Sequence, residues 1–403
     1  MKKIIALALV LVMVLSLFAG CGKKAEKMTL KVWGPNEDQA SAESFLPVAC
    51  EKFNEAHPEW DIEFVYEVCA EGDAGTMVTK DPSAAGDVYM FANDQLGTLL
   101  QANAIARLGG AVLDQVVADN SETMVASVTS GDGVYGVPFT GNTWFMYYDS
   151  SVYTEEDIKS LDAMMAKGTV AFPLTNTWYL PAFYYANGGT MFGDGTDGSK
   201  GINFGGEAGA AVTTYIANAV ASGKLIDDAN GVGLDGFRKG EVVAMFSGTW
   251  DAKNYQDALG ENYAAAQLPT ITINGEAKQL RAFAGSKCIG VNPNCKNQKA
   301  ALQLALFLGS KDAQLSHYTM GNIAPCHPEL AADPTIAADV AVAALINGIA
   351  NSSVLQPTIA EMGNYWAPAA NMASEIINGT VTHENAAEKT AAFVDAINGK
   401  GGL

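Results

Sequence analysis

Apolar and polar positions alternate over Met28–Trp33 (Met-Thr-Leu-Lys-Val-Trp), the period of a half-buried strand. Phe45, Val48, Ala49 and Phe53 then recur at the spacing of one helix face, and His57-Pro58 ends that helix. Asp61–Tyr66 reads as a second strand and Asp87–Phe91 as a third, with an apolar helix from Leu96 to Ile105 behind it. Tyr135–Pro138 leads through Phe139-Thr140-Gly141-Asn142 into an aromatic strand at Trp144–Asp149. Helices are predicted at Ala208–Ala221, Gln298–Leu308, Pro334–Ile349 and Ala386–Ile397, and Phe237–Val243 runs into Ala244–Trp250. Strands alternating with helices predict an α/β fold built on largely parallel sheets. Glycines at Gly188-Gly189, Gly193 to Gly201 and Gly205-Gly206 mark turns.

The chain begins differently. Lys2-Lys3 precedes an unbroken apolar run from Ile4 to Leu15, a charged n-region and h-region of an export signal. The run is shorter than the roughly 20 residues a spanning helix needs. It ends Leu17-Phe18-Ala19-Gly20-Cys21, which resembles a bacterial lipobox with Phe18 in place of the usual aliphatic residue. Cleavage before Cys21 and its diacylation would leave residues 21–27 as a polar tether. The protein is thus expected to be exported and anchored to the outer face of the cytoplasmic membrane, or to face a periplasm where an outer membrane exists.

Composition narrows the partners. The 403 residues are 49% hydrophobic and 17% charged, which excludes intrinsic disorder, and the length suits two domains. A formal charge of −20 leaves no basic face for nucleic acid or for anionic lipid headgroups, so contact with membrane is expected through the lipid anchor only. Beyond Cys21 the cysteines are Cys50, Cys69, Cys288, Cys295 and Cys326, with no C-x-x-C pair, and the four histidines are scattered. Buried free thiols, or at most one or two bridges, fit this usage. Neither a metal nor a cofactor is expected.

Catalytic motifs are scarce. Gly231-Val-Gly233-Leu-Asp-Gly236 matches G-x-G-x-x-G, but Asp227-Asp228-Ala229-Asn230 precedes it where a buried strand is required, so it is read as a flexible loop. No Walker loop, H-E-x-x-H or G-x-S-x-G occurs. Forty-four acids would allow a glycosidase carboxylate pair, and none is singled out. The tryptophans are more informative. Trp178 lies in Asn176-Thr-Trp-Tyr-Leu-Pro181, Trp250 in Phe246-Ser-Gly-Thr-Trp-Asp251 and Trp366 in Gly363-Asn-Tyr-Trp-Ala-Pro368. A large ring flanked by polar and turn residues is what the apolar C–H face of a pyranose stacks upon, its hydroxyls bonding to amides and carboxylates. Core packing is the competing reading: Trp60 belongs there, and Trp33, Trp144, Trp178, Trp250 and Trp366 stand open between the two.

In order and spacing, several segments resemble the maltose/maltodextrin-binding branch of the solute-binding lipoproteins that serve ATP-binding-cassette sugar importers. These are Leu30-Lys-Val-Trp33, Gly86-Asp-Val-Tyr-Met-Phe-Ala-Asn-Asp94, Gly133-Val-Tyr-Gly-Val-Pro-Phe139 and Tyr185-Ala-Asn-Gly-Gly189. Further on come Phe237-Arg-Lys-Gly-Glu241, Ser247-Gly-Thr-Trp250, Gln267-Leu-Pro-Thr270, Phe283-Ala-Gly285 and Gly363-Asn-Tyr-Trp366. The resemblance implies the α/β, two-lobed periplasmic-binding-protein fold of the class II type, with the ligand cleft between lobes joined by hinge strands. Residues 28–140 and 289–330 would form one lobe, and 141–288 with 331–403 the other. The implied function is capture of an oligosaccharide and its delivery to the permease subunits of an ABC importer by a monomeric, non-enzymatic receptor. A maltooligosaccharide or related α-glucan is the first choice; another oligosaccharide class, or an exported glycoside hydrolase, is the alternative.

By position, Trp250 and Trp366 match the family's stacking tryptophans. Phe91 stands where another usually is, and Trp178 lies in a segment supplying further aromatics. Asp94 matches a hydroxyl-binding carboxylate, with Gln95 replacing the arginine that often follows. Glu37 and Asp38 align with an acid-plus-lysine pair, Asn142 and Thr175 with glutamates, and Ala370 with an arginine. Aromatic platforms are retained while polar contacts have changed, which puts maltose itself in doubt.

Overall fold

The computed structural model describes residues 25–399, so the export signal and Cys21 lie outside the described residues. Eleven strands build its two main sheets. In chain order they are β1 (Glu26–Gly34), β2 (Trp60–Val68), β3 (Val88–Ala92), β4 (Val137–Asn142), β5 (Phe145–Asp149), β6 (Val170–Phe172), β7 (Leu225–Asp227), β8 (Ala244–Ser247), β9 (Tyr263–Ala266), β10 (Ala282–Val291) and β11 (Ser353–Leu355). The first sheet runs β11-β10-β3-β1-β2, with β4 on the other edge of β10; the second runs β7-β6-β8-β5-β9.

The sheets are mixed, not largely parallel. β1 pairs in parallel with β2 and β3, but β10 is antiparallel to β3 and β4. In the second sheet β6, β7 and β8 are parallel, β5 runs against them, and β9, antiparallel to β5, points the same way as β6 to β8. The reversal of β10 follows from the connectivity, because β10 returns from the second lobe to the first and so enters that sheet backwards.

Each sheet is covered on both faces. On the first, Leu30, Val32, Phe45, Phe53 and Leu304 pack on one side, and Tyr89, Phe91, Leu96 and Leu99 on the other. On the second, Trp144, Phe172, Phe183 and Phe246 form one cluster, and Phe145, Tyr147, Phe237 and Tyr255 the opposite one. Neighbours Trp144 and Phe145 fall on opposite faces, as the period of a strand requires. β10 contributes to both lobes: Ala282 and Phe283 join the second lobe's core, Ile289 and Val291 the first's. β4, β10 and β11 are therefore the strands along which the lobes are joined, and the implied boundaries at 140/141 and 288/289 fall inside β4 and β10.

Helices close the faces: α1 (Phe45–Ala56), α2 (Leu96–Gln101), α3 (Gly206–Ala221), α4 (Val232–Lys239), α5 (Gln298–Leu308), α6 (Lys311–Gly321), α7 (Val340–Asn351), α8 (Gly363–Ile377) and α9 (Ala386–Ile397). Two expectations need correction. The predicted helix over Pro334–Ile349 is interrupted, because the Asp339 carboxylate accepts from the N–H groups of Ala341 and Val342 at 2.9 and 3.1 Å and so starts α7 afresh. The Gly231–Gly236 motif is not a flexible loop. Gly233 and Gly236 lie inside α4, and short β7 precedes it. These glycines let α4 sit against Met245 and Val242, where a Cβ would collide. Asp228 Oδ1 accepts from Gly233 N–H at 2.6 Å, so a carboxylate already occupies the helix end that a nucleotide phosphate would need.

The five described cysteines are all free. Burial pushes the thiols of Cys50, Cys295 and Cys326 up to about 12, which keeps them protonated and inert. No helix among the described residues is long and apolar enough to cross a membrane.

Candidate functional site

Between the sheets lies a cleft of about 430 Å³ lined by Glu71, Gly72, Ala92, Asp94, Asn142, Asn176, Thr177, Trp178, Trp250, Lys287 and Trp366. One wall is aromatic and belongs to the second lobe; the other is polar and belongs to the first.

The aromatic wall is built by short, tightly bonded turns. Trp178 N–H donates to Asn176 Oδ1 at 3.2 Å, and the buried Tyr365 hydroxyl donates to the Thr177 carbonyl at 2.9 Å. These bonds fix the 176–178 turn. The Trp178 indole N–H donates to Gln356 Oε1 at 2.8 Å. Trp250 follows the end of β8, its ring tilted 44° to Trp178 with centroids 6.1 Å apart. It folds back over Gly248, where any Cβ would run into the indole. Tyr147 holds the Gly248 carbonyl at 2.8 Å, and Ser247 Oγ bonds Asp251 Oδ2 at 2.6 Å. Trp366 projects from the first turns of α8 beside Tyr365. Trp178 and Trp366 are half-buried and Trp250 is 43% exposed, so all three rings remain open to a ligand.

The polar wall carries three charged side chains. Glu71, in the turn after β2, pairs with Lys287 Nζ of β10 at 3.2 Å. Asp94 follows β3, and its Oδ2 accepts from Gln95 Nε2 at 3.1 Å while Oδ1 finds no protein partner. Burial pushes the Asp94 carboxyl above the usual carboxylate range, and the neutral Gln95 amide only partly offsets that. Asn142, buried at the end of β4, completes the floor.

The structure brings Trp178, Trp250, Trp366, Asp94 and Asn142 to one cavity and leaves three expected residues out of it. Phe91 is fully buried, because the alternation along β3 turns Tyr89 and Phe91 into the core beside Cys288, and only Ala92 and Asp94 reach the cleft. Asp38 is buried as well. Its Oδ1 sits 2.8 Å from His317 Nε2, and that imidazole stacks on Phe45 at 3.9 Å. Glu37 is exposed on the turn Asn36–Asp38 and does not line the cleft. Thr175 is tied to Asp227 by bonds of 2.6 and 3.0 Å. Of the remaining tryptophans, Trp33, Trp60 and Trp144 are core residues.

Glu71 and Lys287 are cleft residues that sequence reasoning missed. Lys287 had a signal: it is a lone cation in a strand whose other nine positions are buried. Glu71 had none, since only the tertiary fold places it opposite Lys287.

Two mixed-sheet lobes, strands running between them and a ligand-sized cleft define a two-lobed binding protein. A family model described as bacterial extracellular solute-binding protein matches residues 49–344, and the chain belongs to that family. Membership makes it an exported solute-binding protein. Among its relatives, the galactooligosaccharide-binding protein of Bacillus subtilis (strain 168) is 26% identical over 329 residues, 77% of this chain and 76% of its own. The maltodextrin-binding protein MdxE of the same organism is 25% identical over 340 residues, 78% of this chain and 76% of its own. A solved structure with acarbose is 48% identical at a TM-score of 0.89, covering 93% of this chain and 99% of that one. The maltodextrin-binding protein MalE1 from L. casei BL23, solved without ligand, is 26% identical at a TM-score of 0.84, with 92% and 99% covered.

Proposed function

We propose that this chain is a receptor for an oligosaccharide, a maltooligosaccharide or related α-glucan, which it delivers to the permease subunits of an ABC importer. The observation that carries the reading is the division of the cleft. Three indoles offer flat apolar platforms, and on the wall facing them Glu71 and Lys287 pair with each other, leaving Asp94, whose carboxyl burial pushes above its usual range, as the single carboxyl without an ionic partner there among the described residues. Such a site suits a neutral ligand rich in hydroxyls. An amino acid or peptide would need an uncompensated partner for each charged end. The similarity to a chain solved with acarbose, an α-linked oligosaccharide analogue, favours α-glucans.

Ligand spanning both walls would favour the closed arrangement of the lobes through the strands that join them. We place the lobe boundaries within β4 and β10, anchor the mature chain through a diacylated Cys21, and assign capture and release without covalent chemistry to a monomer. The similarity to a galactooligosaccharide-binding protein supports one second reading, a β- or α-galactoside as ligand. Isothermal titration with maltotriose, galactotriose and xylotriose separates them. Maltotriose is expected to bind most tightly; heat with galactotriose alone would replace the α-glucan assignment with the second reading, and recovery of shortened sugar would mark a hydrolase.

A further inference from the structure

We infer that Gln356, outside the cleft lining, is a positioning residue that ties the Trp178 platform to the strands joining the lobes; the inference rests on the receptor reading above.

Gln356 immediately follows β11 and is 1% exposed. Its backbone N–H donates to the Ala284 carbonyl of β10 at 2.9 Å, which fixes the residue to the longest strand shared by both lobes. Its side-chain amide makes one hydrogen bond among the described residues, with Oε1 accepting from the Trp178 indole at 2.8 Å, while Nε2 finds no protein partner. A buried amide with half of its capacity unmet is costly to keep. The arrangement is explained if that one bond sets the tilt of a ring that must meet a ligand.

The next residues strengthen the connection. α2 of the first lobe lies against the Thr358 carbonyl so closely that a Cβ on Gly97 would sit 2.8 Å from the oxygen. The segment 356–359 is therefore held between the Trp178 platform on one side and the helix that begins just after Asp94 on the other. A change in how the lobes meet along β10 and β11 reaches Trp178 through Gln356, and a ligand pressing on Trp178 acts back on the same strands.

A double-mutant cycle tests this with maltotriose as the probe. Gln356→Leu removes the acceptor at similar volume, and Trp178→Phe keeps a ring but removes the N–H. Each single variant is expected to bind about tenfold more weakly, and the double variant no more weakly than the worse single one, because both remove the same bond. Gln356→Glu retains an acceptor and is expected to recover most of the affinity lost by Gln356→Leu. Should Gln356→Leu not fold, Trp178→Phe approaches the bond from its half-buried side, and affinity equal to wild type would overturn the inference. Additive losses in the cycle, or wild-type affinity in Gln356→Leu, would also overturn it. Absence of maltotriose binding by the unmutated protein would instead remove the α-glucan reading beneath it, and the cycle would be repeated with the trisaccharide that does bind.

Discussion

At the scale of single residues, Asp94 is the most informative group in the cleft. Its carboxyl is pushed above its ordinary value of 3.8 chiefly by burial. A carboxyl whose folded pKa exceeds its unfolded one holds its proton more tightly when folded. Stability is then greatest at low pH and falls as pH rises from the ordinary value through the raised one. Asp94→Asn keeps the shape and removes the titration. Its melting temperature at neutral pH is expected to exceed that of wild type, and calorimetry from about pH 4 to pH 7 should show the wild-type slope in that window flattened. Sugar hydroxyls donating to the carboxylate stabilise its charged form, so maltotriose affinity of the wild type should rise with pH over the same window and that of Asp94→Asn should not. An unchanged melting temperature at pH 7 would mean that burial is not what governs this group. Asp94 was legible because it ends a recognisable motif; Phe91, three positions earlier in that motif, was misplaced because only the β3 register decides which side chains face the core.

Elements explain why the aromatic wall could be anticipated and the polar wall only in part. Trp178, Trp250 and Trp366 each stand in a local run of turn and polar residues, and local runs are what sequence displays. Gly248 shows how such a run works. Its backbone is extended, with φ at −105°, so the position asks for no left-handed conformation and only the absence of a Cβ matters. Gly248→Ala should therefore cost little backbone strain. It should rotate the exposed Trp250 ring out of place and lower maltotriose affinity by about tenfold, with stability changed by less than ~1 kcal/mol. Titration calorimetry and a thermal melt check both halves; a large stability loss with intact affinity would refute the steric account. α4 was missed because three glycines in six residues argue against a helix, and tertiary contacts with Val242 and Met245 outweighed that propensity. α8 carries Pro368 within it, a residue that hides a helix from periodicity while costing it the bond to Asn364. Lys287 and Glu71 come from strands and turns separated by more than two hundred residues, and no local rule joins them.

For the whole molecule the decisive fact is that the lobes have separate cores and share few strands. Leu30, Phe53 and Leu304 pack in one, Phe172, Phe183 and Phe246 in the other, and β10 enters both. A structure of that kind keeps each lobe rigid and concentrates freedom at the join, because close-packed cores resist deformation more than a few extended backbones do. The cleft residues divide accordingly: Lys287 lies on the first sheet with Glu71 and Asp94 in turns that follow its strands, while Trp250 follows β8 and Trp178 and Trp366 pack against the second sheet's core. A ligand that touches both sets gains contacts only when the sets approach, so its affinity contains the free-energy difference between open and closed arrangements. Small-angle scattering should show the radius of gyration fall on saturation with maltotriose and stay constant with a sugar that does not bind. In the same samples the melting temperature should rise with sugar concentration, the stabilisation being about 2.7 kcal/mol at one hundred times Kd. The two readouts separate the parts of the argument, since a rise in melting temperature without contraction would leave a sugar site on a rigid molecule and refute closure.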